Sequence, residues 1–68
     1  MNFADKLKEV RLSRGYSQAQ VANSAGIQLP TYQNYESGTE EPDIFILANL
    51  VLALNTTADE LLGLIGKN

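Results

Sequence analysis

Cysteine and histidine are both absent from this chain of 68 residues. Without cysteine there is no disulfide framework, no thiolate metal site and no thiol nucleophile. Without histidine the usual acid–base group near neutral pH and the commonest transition-metal ligand are gone as well, so neither a metal nor a cofactor is expected. Adjacent carboxylates occur only at Glu40-Glu41 and Asp59-Glu60, and both pairs read as turn and cap residues, so catalysis is not expected. No apolar run approaches the roughly 18 residues of a membrane span. The stretch Met1-Asn2-Phe3-Ala4-Asp5-Lys6 lacks the charged-then-apolar layout of a secretory signal, so a cytoplasmic location without a membrane partner is expected.

Cations are scarce too: five Lys and Arg stand against eight Asp and Glu, a formal charge of −3. Their placement is uneven. Residues 1–14 hold Lys6, Lys8, Arg11 and Arg14 against Asp5 and Glu9 and sum to +2, whereas residues 15–68 hold Lys67 against six carboxylates and sum to −5. One end can face an anion, and the remainder argues against a general nucleic-acid-binding surface. What the chain does have is apolar content. A domain this small buries only about 60% of its unfolded surface, and 44% hydrophobic residues suffice for a dense core.

The patterning predicts five helices and no strand. Phe3, Leu7 and Val10 recur at helical spacing and Gly15 follows Arg14 as a stop, which gives a first helix over about residues 2–14. Ser17-Gln18-Ala19-Gln20 is a capping box for a second helix over about 18–25, ended by Gly26. Pro30 is tolerated only in a first turn, so a third helix starts near Gln28 or Leu29 and runs to Ser37 before Gly38. Asp43 caps the apolar run Ile44 to Leu54, and Thr57-Ala58-Asp59-Glu60 is a second capping box opening a fifth helix through about Leu62. On the fourth helix Ile44, Leu47, Leu50, Val51 and Leu54 fall on one stripe expected to fill the core, while Phe45, Ile46 and Leu52 point elsewhere.

The second and third helices are joined by Ala25-Gly26-Ile27-Gln28, too tight a connection for antiparallel packing and the spacing of a helix-turn-helix. The residues on this frame resemble the lambda-repressor and Cro-like (XRE-type) family of transcriptional regulators. The resemblance is carried by Leu7 and Arg11, Tyr16-Ser17-Gln18, Val21-Ala22, Gly26-Ile27, Thr31-Tyr32, Tyr35-Glu36, Gly38, Pro42, Leu47, Leu54 and Glu60-Leu61-Leu62. It covers roughly residues 3–63. It implies an all-α, compact five-helix DNA-binding domain over residues 1–63, with the helix-turn-helix formed by helices 2 and 3, and a short tail over 64–68 expected at a dimer interface.

By the same resemblance the helix starting near Gln28 is the recognition helix, docked in the major groove of double-stranded DNA. A helical wheel turns Tyr32, Tyr35 and Glu36 toward the core and Pro30, Gln33, Asn34 and Ser37 outward. The resemblance assigns base reading to Leu29, Pro30, Gln33 and Asn34. Gln and Asn amides bond adenine N6 and N7, and Leu29 and Pro30 suit a thymine methyl, which implies an A·T-leaning site. Phosphate contacts carry over to Ser17, Gln18, Gln28 and Ser37, with Lys6, Lys8 and Arg14 as the remaining cations. Arg11 and Glu36 match family positions that form a partly buried ion pair. The bland readings are that Gln33 and Asn34 are solvated polar residues, that Tyr32 and Tyr35 are simply core, and that Ser17 is a cap first.

Where the family usually carries Lys or Arg after the recognition helix, this chain has Glu40 and Glu41. Weak binding by one subunit is therefore expected, and with it a C2 homodimer. Phe45, Leu52, Leu64 and Ile65 are the residues expected at the dimer interface, with helix 5 and the outer face of helix 4. The expected function is a small stand-alone transcriptional regulator, a repressor or phage Cro or controller-like protein binding an inverted repeat. The alternative is a protein-interaction module, such as an antitoxin or antirepressor-like partner with weak or lost DNA binding, which Glu40 and Glu41 favour and Gln18, Gln33 and Asn34 oppose.

Overall fold

A computed structural model describes residues 2–62, so Leu64 and Ile65 lie outside the described residues. The chain forms α1 (Phe3–Arg14), α2 (Gln18–Ala25), α3 (Leu29–Ser37), α4 (Ile44–Ala53) and α5 (Ala58–Leu61). No strand occurs among the described residues. The boundaries follow from local chemistry. The first amides of a helix lack carbonyl partners. Asn2 Oδ1 therefore accepts from the Asp5 amide at 2.9 Å, and Asp43 Oδ1 from the Ile46 amide at 2.9 Å. Ser17 and Gln20 form the reciprocal box at 3.0 and 2.7 Å. At α5 only half of the expected box forms. Thr57 Oγ1 accepts from the Glu60 amide at 3.1 Å, but the Glu60 carboxylate takes the Thr56 hydroxyl instead of turning back.

α1 packs on α3 and α5, α2 on α3 and α4, and α4 on α5. Leu7, Val10, Val21, Ala22, Ala25, Tyr32, Tyr35, Leu50, Leu54 and Leu61 form one buried cluster that draws on every helix. The expected stripe of α4 needs correction. Ile44 is 74% exposed, whereas Ile46 packs against the core. Leu47, Leu50, Val51 and Leu54 pack in or against the core as expected, Ile46 joins them, and Ile44 is left outside. The reason is that α4 is apolar on almost every side, with Asn49 its one polar residue. Such a helix has no amphipathic direction of its own, and its neighbours α2 and α5 choose the buried line. The outer side of α4 carries Phe45 and Leu52, 78% and 79% exposed.

Candidate nucleic-acid interface

The turn between α2 and α3 is built on Gly26, whose φ of 74° lies in the left-handed region that a Cβ disfavours. The Gly26 and Ile27 amides close the end of α2 on the Asn23 and Ala22 carbonyls at 3.2 and 3.0 Å. The chain then enters α3 at Gln28 and Leu29, with Pro30 in the first turn, where its missing N–H removes nothing from the helix. No side chain caps α3.

Tyr32 and Tyr35 are buried in the core, which leaves the opposite side of α3 to solvent. Leu29, Pro30, Gln33 and Ser37 are exposed there, and Asn34 is half-buried. Ser17 and Gln28 are exposed at the starts of α2 and α3, and Gln18 is half-buried between these helices. The two base-reading candidates with amides differ in their surroundings. Gln33 Nε2 donates to Gln18 Oε1 at 3.3 Å, across the two helices. Asn34 Nδ2 donates to Glu40 Oε1 at 3.2 Å, so the acidic turn folds back over the end of α3. Ser37 Oγ donates to the Asn34 carbonyl at 3.1 Å and is paired with the Thr39 hydroxyl.

Behind this surface lies a buried polar cluster. Arg11 Nε and Nη2 donate to Glu36 Oε2 and Oε1 at 2.6 and 3.2 Å, a bidentate pair joining α1 to α3. Arg11 Nη1 donates to the Tyr16 carbonyl at 2.9 Å, while the Tyr32 hydroxyl and Gln18 Nε2 both donate to Glu36. No buried side-chain polar atom is left without a partner among the described residues. The hydrogen bond to Glu36 leads the causes that raise Arg11 above its ordinary pKa. Burial and the hydrogen bond to Glu36 push the Tyr32 phenol far up, so it stays neutral.

The cations expected at phosphates are placed differently. Arg14 does not join the α3 face: its Nε and Nη2 donate to the Leu54 and Asn55 carbonyls at 3.0 and 3.1 Å, at the C-terminal end of α4. The orphan carbonyls of a helix end attract a guanidinium, and the Glu60 carboxylate 3.6 Å away reinforces it. Lys6 pairs with Glu9 at 3.1 Å, and among the described residues Lys8 is the cation without an ion pair or side-chain hydrogen bond. Nothing in local spacing marked the Arg14 clamp or the Asn34–Glu40 bond. The Gln18–Glu36 bond was foreshadowed only by both residues matching one family pattern.

A family profile described as helix-turn-helix matches residues 7–61. The SPbeta prophage-derived uncharacterized HTH-type transcriptional regulator YonR of Bacillus subtilis is 42% identical over 60 residues, which covers 88% of this chain and 56% of that protein. The HTH-type transcriptional regulator AnsR of the same organism is 42% identical over 59 residues, 87% of this chain and 51% of its own. The cryptic phage CTXphi transcriptional repressor RstR of Vibrio cholerae is 36% identical over 63 residues, 93% of this chain and 56% of its own. The chain spans about half the length of these relatives. Glu36 ties α3 to α1 through Arg11 and to α2 through Gln18, and the profile and the relatives cover that whole unit: the chain belongs to the XRE-type helix-turn-helix family of transcriptional regulators.

Proposed function

We propose that this chain is a sequence-specific double-stranded DNA-binding regulator that reads an inverted repeat as a homodimer. The observation that carries the reading is the neutral polar face of α3, exposed on one side and tied to α1 through Glu36 on the other. Leu29, Pro30, Gln33 and Asn34 are the base-reading set, with Gln33 and Asn34 aimed at adenine edges and Leu29 and Pro30 at thymine methyls. Ser17, Gln18, Gln28 and Ser37 contact phosphates through neutral donors at the helix starts and edges. Arg14 has no part in the proposed interface, because its guanidinium is held by α4.

Selection of binding sites from a random duplex pool tests this reading. An A·T-leaning inverted repeat with half-sites about one helical turn apart is expected. On the selected site, Gln33→Ala is expected to cost about 1–3 kcal/mol at specific base pairs and little elsewhere. An absence of enrichment at moderate salt overturns the reading in favour of a protein-interaction module.

Salt dependence gives a second check. Ionic contacts to phosphate release counterions, and a protein making 6–10 of them shows a log–log slope of about −6 or steeper. Here Arg11 and Arg14 are engaged within the protein and Glu40 lies beside the reading helix. A slope shallower than about −6 is expected in a fluorescence-anisotropy titration. A steeper one would contradict the neutral interface.

Few cations make one half-site weak, and the outer side of α4 supplies the surface for a second subunit. Ile44, Leu47, Ala48, Val51, Leu52, Ala58 and Leu62 line a shallow apolar groove of about 470 Å³, flanked by the exposed Phe45. An apolar strip of this extent marks an interaction site. A C2 pairing through it would join two subunits related by the two-fold symmetry that an inverted repeat requires. Leu64 and Ile65, also expected there, lie outside the described residues.

A further inference from the structure

Glu36 does more than neutralise Arg11: it sets a direction for the amides in front of it. An ionised carboxylate only accepts hydrogen bonds. Glu36 Oε1 receives Arg11 Nη2 at 3.2 Å and Gln18 Nε2 at 3.0 Å. Gln18 therefore has to present its NH2 group inward, because the flipped amide would set its oxygen against a carboxylate oxygen. Its Oε1 is left facing Gln33, whose Nε2 donates to it at 3.3 Å. One N–H of Gln33 is engaged in this way, and Oε1 and the second N–H remain for a ligand.

We propose that Glu36, acting through Gln18, orients the Gln33 carboxamide so that it accepts from adenine and refuses guanine. The inference rests on the reading of α3 as the groove-facing helix. Adenine offers the N6 donor and the N7 acceptor on its major-groove edge, which match one oxygen and one N–H. Guanine offers O6 and N7, both acceptors, so one of them meets Gln33 Oε1 while the donor that could have answered it is held by Gln18. In this role Gln18 is a positioning residue for specificity, in addition to any phosphate contact. Phosphate contacts and orientation make different predictions, because a phosphate contact carries no sequence information.

The test uses the full chain and the site selected from the duplex pool. The base pair read by Gln33 is the one whose discrimination Gln33→Ala removes. At that pair the wild-type protein is expected to prefer A over G by about tenfold or more. Gln18→Met keeps the length of the side chain and removes both hydrogen bonds. It is expected to reduce the A-over-G ratio at that pair to within about twofold, while preferences at other positions persist and the melting temperature stays close to wild type. In the double variant Gln18→Met/Gln33→Ala the two losses of discrimination are expected not to add, since one acts through the other. If Gln18→Met lowers affinity equally for A and G, or leaves the ratio unchanged, the orienting role is overturned while the DNA-reading function stands. A selected site without an A preference at the Gln33 pair also overturns it. A pool without any enriched site overturns the function and this inference together.

Discussion

Glu36→Ala is expected to cost the fold about 3–5 kcal/mol, because it removes one partner of a buried pair and leaves the other charge uncompensated. The Arg11 and Glu36 side chains are 10% and 4% exposed, so water cannot take the place of the lost carboxylate. The Tyr32 hydroxyl and Gln18 Nε2 lose their acceptor in the same step. A domain of this length has a total stability of about 3–10 kcal/mol, so the variant is expected to lose a large share of it. Urea denaturation measures the loss. Removing both charges in Arg11→Met/Glu36→Leu is expected to recover much of it, since the penalty comes from the orphaned ion more than from the missing attraction. A loss below about 1 kcal/mol for Glu36→Ala would mean that the pair behaves as a solvated surface bridge.

The same group gives the acid limit of the fold. Burial pushes the Glu36 carboxyl up, but the hydrogen bonds from Arg11, Tyr32 and Gln18 outweigh it and hold the group below its ordinary value of 4.5. A carboxyl depressed in the folded state contributes stability that is complete above its unfolded pKa and is lost as pH falls through the folded one. The Glu36 contribution is therefore expected to be constant from neutral pH down to about 4.5 and to decline below that. The apolar double variant is expected to lack this part of the decline.

Leu52→Glu is expected to weaken binding to the full inverted repeat by about 10²–10⁴-fold while leaving the isolated subunit folded. Leu52 is 79% exposed, so a carboxylate there is solvated in the monomer and costs it almost nothing. Across a pairing surface the same carboxylate would be buried without a partner. Two linked half-sites bind with an effective concentration that a single subunit lacks, and this advantage is what the variant removes. Sedimentation at micromolar concentration is expected to change from dimer to monomer, and affinity for a single half-site is expected to stay within about twofold. A wild-type protein that sediments as a monomer would refute the pairing, as would a Leu52→Glu variant that remains a dimer.

What could be read from the sequence was the part governed by neighbours a few residues apart. Ser17 with Gln20, Asp43 and the glycine after Arg14 each act on amides or carbonyls within one helical turn, and the helix limits follow from them. The buried line of α4 is a different matter, because a helix apolar on almost every side carries little internal preference, and Ile46 packs on the core where Ile44 was expected to. Arg14 shows the same limit at longer range. Its partners are main-chain carbonyls some 40 residues away, which carry no residue-type signal. The amide of Asn34 was legible as an outward polar group but not its bond to Glu40, since turn conformation decides whether that carboxylate folds back. The Arg11–Glu36 pair was legible only through the resemblance, for nothing in a spacing of 25 residues announces a contact.

The position of Leu61 has a bearing on how the protein is made. Its side chain is fully buried in the shared core, and α5 packs on α1, far from it along the chain. Arg14 closes the same seam by holding the α4 end beside Glu60. Until Leu61 docks, the core shared by the other helices stays open on the α5 side. Translation cut short before that residue is expected to yield not a weaker regulator but an unsealed chain that is degraded.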